Sequence, residues 1–269
     1  MKRSRQTGTV VVAMALMTGA AFGQATPIRG TIINMNDVAY PNVGLKWKNR
    51  EKAYEVTKEN QIFEIPFADM KELKISRPKA LDEAEKMVRE GKESMAIPAL
   101  EKLATDYLML TWDRPATRLL AEACIKTGDF DKAIRFCEII IKIEPDTAFL
   151  GEFAPAYWQA LLKKGNTNKA EDLMVKAIKS GDRLASAFAL IMRGDMILAT
   201  GETSENAKKA LRDGYLRVVA LYTTERAARA EALYKAAKCF EKSGQIQRAD
   251  SFRTELKKDF AGTEWAVKP

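Results

Sequence analysis

Two rhythms of apolar and polar residues follow one another along this 269-residue chain. Between Thr26 and Ser76 the period is close to two. Thr31-Ile-Ile-Asn-Met35, Val43 to Lys48, Lys52 to Thr57, Gln61-Ile-Phe-Glu-Ile-Pro66 and Lys71 to Ser76 predict four or five short strands. Trp47, Tyr54 and Val56 suit a pleated, half-buried surface. Glu59-Asn60 predicts a turn, and Pro78 breaks the pattern before the first helix. From Arg77 onward the period lengthens to that of a helix. Leu119, Leu120, Ala123 and Cys124 form one stripe at helical spacing; Ala133, Ile134, Cys137, Ile140 and Ile141 form the next.

These helical stripes recur. A glycine followed five residues later by an alanine occurs at Gly91/Ala96, Gly128/Ala133, Gly165/Ala170 and Gly244/Ala249, and the first three pairs are 37 residues apart. Gly201 with Ala207 is a near-match that fills the remaining gap. Self-similarity at this period predicts stacked helix hairpins. In the unit starting near Arg114, Asp113 and Pro115 are start signals and Gly128 supplies the left-handed stop. Asp129 and Asp131 then open the second helix at the positive end of its dipole, and Pro145 closes the unit. Small residues stand seven positions before the glycines, at Ala84, Ala121, Gly194 and Ala237, matched by Ala96, Ala133, Ala207 and Ala249 on the partner helix. Small side chains at one crossing point let two helices approach closely. Trp158 takes the small site of the third unit, which leaves the close contact there to Ala156 or Ala160. The fourth unit carries an insertion around Glu202 to Glu205 and a long second helix, from about Ser204 to Tyr222.

This pattern, from Arg77 to Trp265, resembles the tetratricopeptide repeat (TPR), whose consensus has small residues at these sites and a proline after the second helix. The resemblance implies a mainly α protein: a right-handed α-solenoid of about five TPR-like hairpins over 77–269. The order over 26–76, a strand led by Gly30, two long strands, then Ile65-Pro66 and Leu73-Lys74-Ile75, resembles a small SH3-like or Sm-like β domain. In TPR proteins the first helix of each unit lines the concave face. Transferring the periodicity places Arg118, Glu122, Gln159, Leu162, Phe188, Ile191, Asp195, Tyr234 and Lys238 there, as a mixed groove with an apolar centre suited to a protein or peptide partner. Tyr215-Leu-Arg-Val-Val-Ala-Leu-Tyr222, Ala230-Glu-Ala-Leu-Tyr234 and Ala249 to Trp265 are similar to the repeats of outer-membrane-assembly and Tol-Pal-associated TPR proteins. That likeness implies a bacterial envelope location.

The amino terminus points the same way. Lys2, Arg3 and Arg5 form a basic head, Val10 to Phe22 is an uncharged apolar run, and small residues follow. This predicts a signal peptide over 1–23, cut after Gly23 or Ala25 and leaving a periplasmic or secreted chain. Thirteen apolar residues fall short of the ~20 needed to cross a bilayer, so no integral membrane span is expected after cleavage. Removing the three basic residues lowers the net charge from +8 to +5. That charge is spread among many acids, unlike the clustered stripe of a nucleic-acid binder.

Histidine is absent, which excludes His-based acid/base catalysis, Ser-His and Cys-His nucleophile pairs and histidine metal sites. No phosphate loop, metal motif or nucleophile motif is present. We therefore assign no catalytic residue, no metal ligand and no cofactor, and expect a non-enzyme; the β domain is where an enzymatic function would be sought. Cys124 and Cys137 lie on the two helices of one hairpin, where they either bond or pack as small buried apolar residues. The leading expectation is an exported scaffold binding a protein or peptide. The alternative is a self-associating array, motivated by Phe252, Phe260 and Trp265 as exposed residues on the terminal helix.

Overall fold

The computed structural model describes residues 27–268. The basic head, the apolar run and the expected cleavage sites lie outside the described residues. The chain begins with strands β1 (Ile28–Asn34), β2 (Ala39–Lys48), β3 (Ala53–Lys58), β4 (Gln61–Pro66) and β5 (Met70–Ile75), with a single 3₁₀ turn, Phe67–Asp69, between the last two. They form one antiparallel sheet in the order β4-β3-β2-β1-β5. Strands and turn fall within a few residues of the expected positions; β1 to β4 pair in chain order and β5 returns to pair with β1. Inward alternation buries Val43, Leu45 and Trp47 on β2 and Tyr54 and Val56 on β3. Tyr54, Trp47 and Phe67 pack as tilted and edge-on rings 5.1–6.3 Å apart.

The rest of the described chain is helical. First and second helices alternate: α1 (Lys79–Arg89) with α2 (Glu93–Asp106), α3 (Asp113–Thr127) with α4 (Phe130–Ile143), and α5 (Ala154–Lys163) with α6 (Thr167–Lys179). Then α7 (Arg183–Ala199) pairs with α8 (Ser204–Ala210), which continues through a π-helical turn, Leu211–Tyr215, into α9 (Leu216–Leu221). Finally α10 (Arg226–Lys242) pairs with α11 (Ile246–Asp259), and a single turn, α12 (Glu264–Val267), follows. The predicted boundary signals operate: Gly128 caps α3 at φ +83°, and Asp129 caps α4 by accepting from the Lys132 N–H. Asp113 departs from its expected role. Its side chain points backward and accepts the Met109 N–H at 2.8 Å, and Trp112 occupies the cap position.

The small residues expected at the crossings are enclosed, although in the fourth unit the close approach to Gly194 is made by Tyr215 and Gly214 rather than by Ala207. Ala84, Ala96, Ala121, Ala133, Ala170, Ala207, Ala237 and Ala249 are all buried. In the third unit Ala156 and Ala160 are buried beside a fully enclosed Trp158, whose indole N–H donates to the Ala148 carbonyl at 2.8 Å. The fourth unit is tightest. A Cβ added to Gly194 would lie 2.5 Å from the Tyr215 ring, and one added to Gly214 would lie 2.8 Å from the Leu190 carbonyl oxygen. The π turn adds a residue to the long second helix, turning Gly214 and Tyr215 together onto α7.

The sheet docks on the loop between α2 and α3. Its core continues into Met109 and Leu110, with Tyr107, Leu108, Trp112 and Ile143 packed around them. The Trp112 indole donates to the Ile75 carbonyl at 2.9 Å, and the Arg77 guanidinium lies 5.3 Å from the Trp112 ring. Met109 (φ +58°) and Thr111 (φ +72°) adopt left-handed backbone, a costly conformation for a β-branched residue. Asp113 holds this loop from beneath; it is wholly buried, and its Oδ1 has no hydrogen-bond partner.

Gly194→Ala forces a methyl into the Tyr215 ring and is expected to cost about 1–3 kcal/mol in urea denaturation. Gly128→Ala, whose Cβ meets nothing within 4 Å, pays only the left-handed backbone strain of about 1–2 kcal/mol. Burial raises the Asp113 carboxyl above its ordinary range, against the opposing pull of Arg114 and backbone N–H groups. A carboxyl raised by folding contributes stability that is present at low pH and lost as pH rises through its folded value. Asp113→Asn keeps an acceptor for Met109 and removes the buried charge. The urea midpoint of that variant is expected to match or exceed wild type at neutral pH and to fall less as pH rises.

Candidate functional site

Helix-to-helix contacts define the inner face of the solenoid. α1 touches α3, α3 touches α5, α5 touches α7 and α7 touches α10, while the backbones of successive second helices make no comparable approach among the described residues and are bridged instead by the Lys132–Glu101 pair at 2.7 Å and the Lys169–Glu138 pair at 2.9 Å. A stack whose first helices are close and whose second helices are splayed curves toward the first helices. The row of first helices is therefore α1, α3, α5, α7 and α10, the side on which the repeat resemblance expects a concave face.

The nine candidate residues fall into two groups along this row. At the upstream end Arg118 and Glu122 on α3 form a half-buried i,i+4 pair at 2.9 Å. On α5, Gln159 is exposed and Leu162 half-buried. Phe188 on α7 is half-buried at the seam where the two helical cores meet. These five form a mixed polar and apolar surface.

The downstream group differs from expectation. Ile191 is only 2% exposed and belongs to the core between α7 and its neighbours. The close approach at Gly194 draws that side of α7 against the π turn, so the periodicity misassigns Ile191 to the surface. Asp195 is spoken for: its carboxylate accepts from the Tyr215 hydroxyl at 2.7 Å and from the Lys235 ammonium at 2.6 Å. Lys235 also pairs with Glu231 at 2.6 Å. Burial pulls the Lys235 ammonium down, but Glu231 and Asp195 outweigh it and hold the group above its ordinary value. Burial, then Asp195, pushes the Tyr215 phenol up. Tyr215, Glu231 and Lys235 were not among the sequence candidates, although the Glu231–Lys235 spacing is an i,i+4 signal. Asp195 lies 40 residues before Lys235, about one repeat away.

Tyr234 and Lys238 close the row. The Lys238 ammonium donates to the Tyr234 hydroxyl at 3.2 Å and sits 5.3 Å from its ring. On its other side Tyr234 packs against Trp265 of α12, with ring centroids 5.5 Å apart. This corrects the expectation of an exposed apolar terminus. Phe260 is 3% exposed under the Arg226 guanidinium, Phe252 packs on Phe240, and Trp265 is half-buried.

Other features bear less on binding. Cys124, Cys137 and Cys239 are free, buried thiols. Burial pushes the Cys124 and Cys239 thiols up to about 11 and Cys137 higher still, which disfavours the reactive thiolate. Two shallow depressions, about 400 and 530 Å³, lie over the α5–α6 turn and the Ile143–Gly151 loop, and none of the nine candidates lines them. Among the described residues no helix is long and apolar enough to cross a membrane, and no group of three or more Cys, Asp or Glu is placed to hold a metal ion.

Protein-family models find the same repeat in two places. Tetratricopeptide-repeat family models match residues 119–147, within the second unit and its closing loop, and 231–263, within the fifth. No curated protein matches the sequence. Among solved structures, the nearly identical TPR-like repeats of a protein assigned as a Podosopora anserina kinesin light chain are similar at 16% identity and TM-score 0.42, covering 69% of this chain and 95% of that one. The MamA protein is similar at 17% identity and TM-score 0.39, covering 71% and 97%. A Bacteroides ovatus protein described as protein-binding is similar at 17% identity and TM-score 0.28, covering 70% and 91%. These likenesses say nothing of what the chain binds.

Proposed function

We propose that this protein is an exported, non-catalytic scaffold of the bacterial cell envelope that holds a protein or peptide partner along the concave row of its solenoid. The observation that carries the reading is the upstream half of that row. Arg118, Glu122, Gln159, Leu162 and Phe188 stand on three successive first helices and offer polar and apolar contact side by side, none of them fully buried. A groove that mixes apolar contact with placed polar groups suits a helix or an extended segment. The export part of the reading rests on Lys2, Arg3, Arg5 and the Val10–Phe22 run.

Two measurements test it. A photoreactive residue at Gln159 or Phe188, introduced in cells, is expected to capture one dominant partner, while the same residue at Glu171 or Lys208 on the second helices captures little. Equal capture on both sides would refute binding along the concave row. For export, amino-terminal sequencing of the envelope-fraction protein is expected to begin at Gln24 or Thr26. A chain retaining Met1 and Lys2 in the cytoplasmic fraction would overturn the location.

A further inference from the structure

The downstream end of the concave row carries something the upstream end lacks: a piece of the chain itself. α12 begins 38 residues after α10 begins, so it stands where the first helix of another unit would start. It is one turn long and buries no residue fully, whereas α10 alone buries eight. Ala266 and the Trp265 ring hold it, packed against the cluster of Ala230, Leu233, Leu256 and Phe260. The Trp265 ring packs on Tyr234 at 5.5 Å, with the Lys235 ammonium 5.9 Å away, and the Lys268 ammonium covers it at 3.6 Å while pairing with Glu264 at 2.7 Å. Val267, one position before Lys268, is 79% exposed.

We infer that α12 is a displaceable strap: Tyr234, Lys235 and Lys238 form a platform for an aromatic-anchored peptide segment, and the chain's own Trp265 fills it in the free protein. This rests on the concave row being the binding face. The contact is of the right kind for exchange. An aromatic ring between a tyrosine face and a lysine gains stacking and cation–π attraction from one side chain. A one-turn helix brings little else, because so short a helix has almost no stability of its own. The platform itself is rigid, since Lys235 is tied to Glu231 and to Asp195 on α7. A segment that presents an aromatic residue there competes with a tether, so its apparent affinity is lowered by the fraction of time the strap is closed.

The test uses the full mature chain and a labelled synthetic peptide spanning residues 261–269. In fluorescence anisotropy, Trp265→Ala, whose own strap has lost its anchor, is expected to bind the peptide at least about ten-fold more tightly than wild type. Adding Tyr234→Ala to Trp265→Ala is expected to abolish that binding. Equal affinity of wild type and Trp265→Ala would overturn the strap, as would no binding to a Trp265→Ala chain whose circular dichroism melt is intact. Wild-type protein labelled with 5-fluorotryptophan supplies a measurement independent of the variant's folding. The residue 265 resonance, assigned by its loss in Trp265→Phe, is expected to move toward the solvent-exposed position as unlabelled peptide is added. A resonance unmoved by millimolar peptide would refute displacement. Neither experiment involves Arg118, Gln159 or Phe188, so failure here leaves capture at the upstream row to be decided separately.

Discussion

The close crossing of the two helices in each unit is the contact on which the architecture rests. Alanine or glycine at the crossing lets backbones meet without a side chain between them. The fourth unit shows how strict the requirement is. Its inserted residues and long second helix would throw the crossing out of register, and the π turn at Leu211–Tyr215 restores contact by bringing Gly214 against Gly194. Tyr215 is then buried against α7, and its hydroxyl must find an acceptor. Asp195 supplies it. A groove candidate thereby becomes part of the frame.

A second set of contacts fixes how units follow one another. Lys126, at the end of α3, reaches Glu93 at the start of α2; Lys164, after α5, reaches Asp131 at the start of α4; Lys242, at the end of α10, reaches Glu202 before α8. In each case a lysine beside one unit's turn glycine meets an acid beside the preceding unit's, where both signs also suit the helix dipoles. These pairs lie at the surface, so each contributes little to stability. They set register along the turn edge while buried apolar contact supplies the stability. The opposite edge receives the sheet, which docks on backbone in an unfavourable conformation. Met109 and Thr111 are held there by apolar cover, the Trp112–Ile75 hydrogen bond and a buried carboxylate, so sheet and solenoid pack as one body around that loop.

Much of this was legible because it is periodic. Strand alternation located β4 to the residue, and the glycine and alanine spacing located the hairpins, since backbone geometry demands those residue types at those positions. The concave row was legible only in outline. Periodicity says which side of a helix faces the groove, but not how deep a neighbour presses, so it placed Ile191 at the surface. It treats each helix alone, so it could not show that Asp195 is shared by the π turn and α10. Asp113 read as a cap because acids commonly cap helices; its backward reach to Met109 depends on a loop conformation that no local pattern encodes. Phe252, Phe260 and Trp265 looked exposed because they lie on or just beyond the second helix of the fifth unit, and are covered because Phe240, Arg226 and Tyr234 lie within reach.

The two halves of the row therefore differ in kind. Upstream, Gln159 projects from α5 and the Arg118–Glu122 pair joins residues on a single helix, so a partner can recruit these groups without separating units. Downstream, Asp195 links α7 to both the π turn and α10. Drawing its carboxylate toward a ligand would leave the buried Tyr215 hydroxyl without its acceptor, a cost of about 1–3 kcal/mol, and would leave Lys235 with Glu231 alone. Polar recognition is thus inexpensive at the upstream end and opposed at the downstream end. What the downstream end offers instead is a preformed aromatic face at Tyr234, and an aromatic side chain is what the chain itself places there.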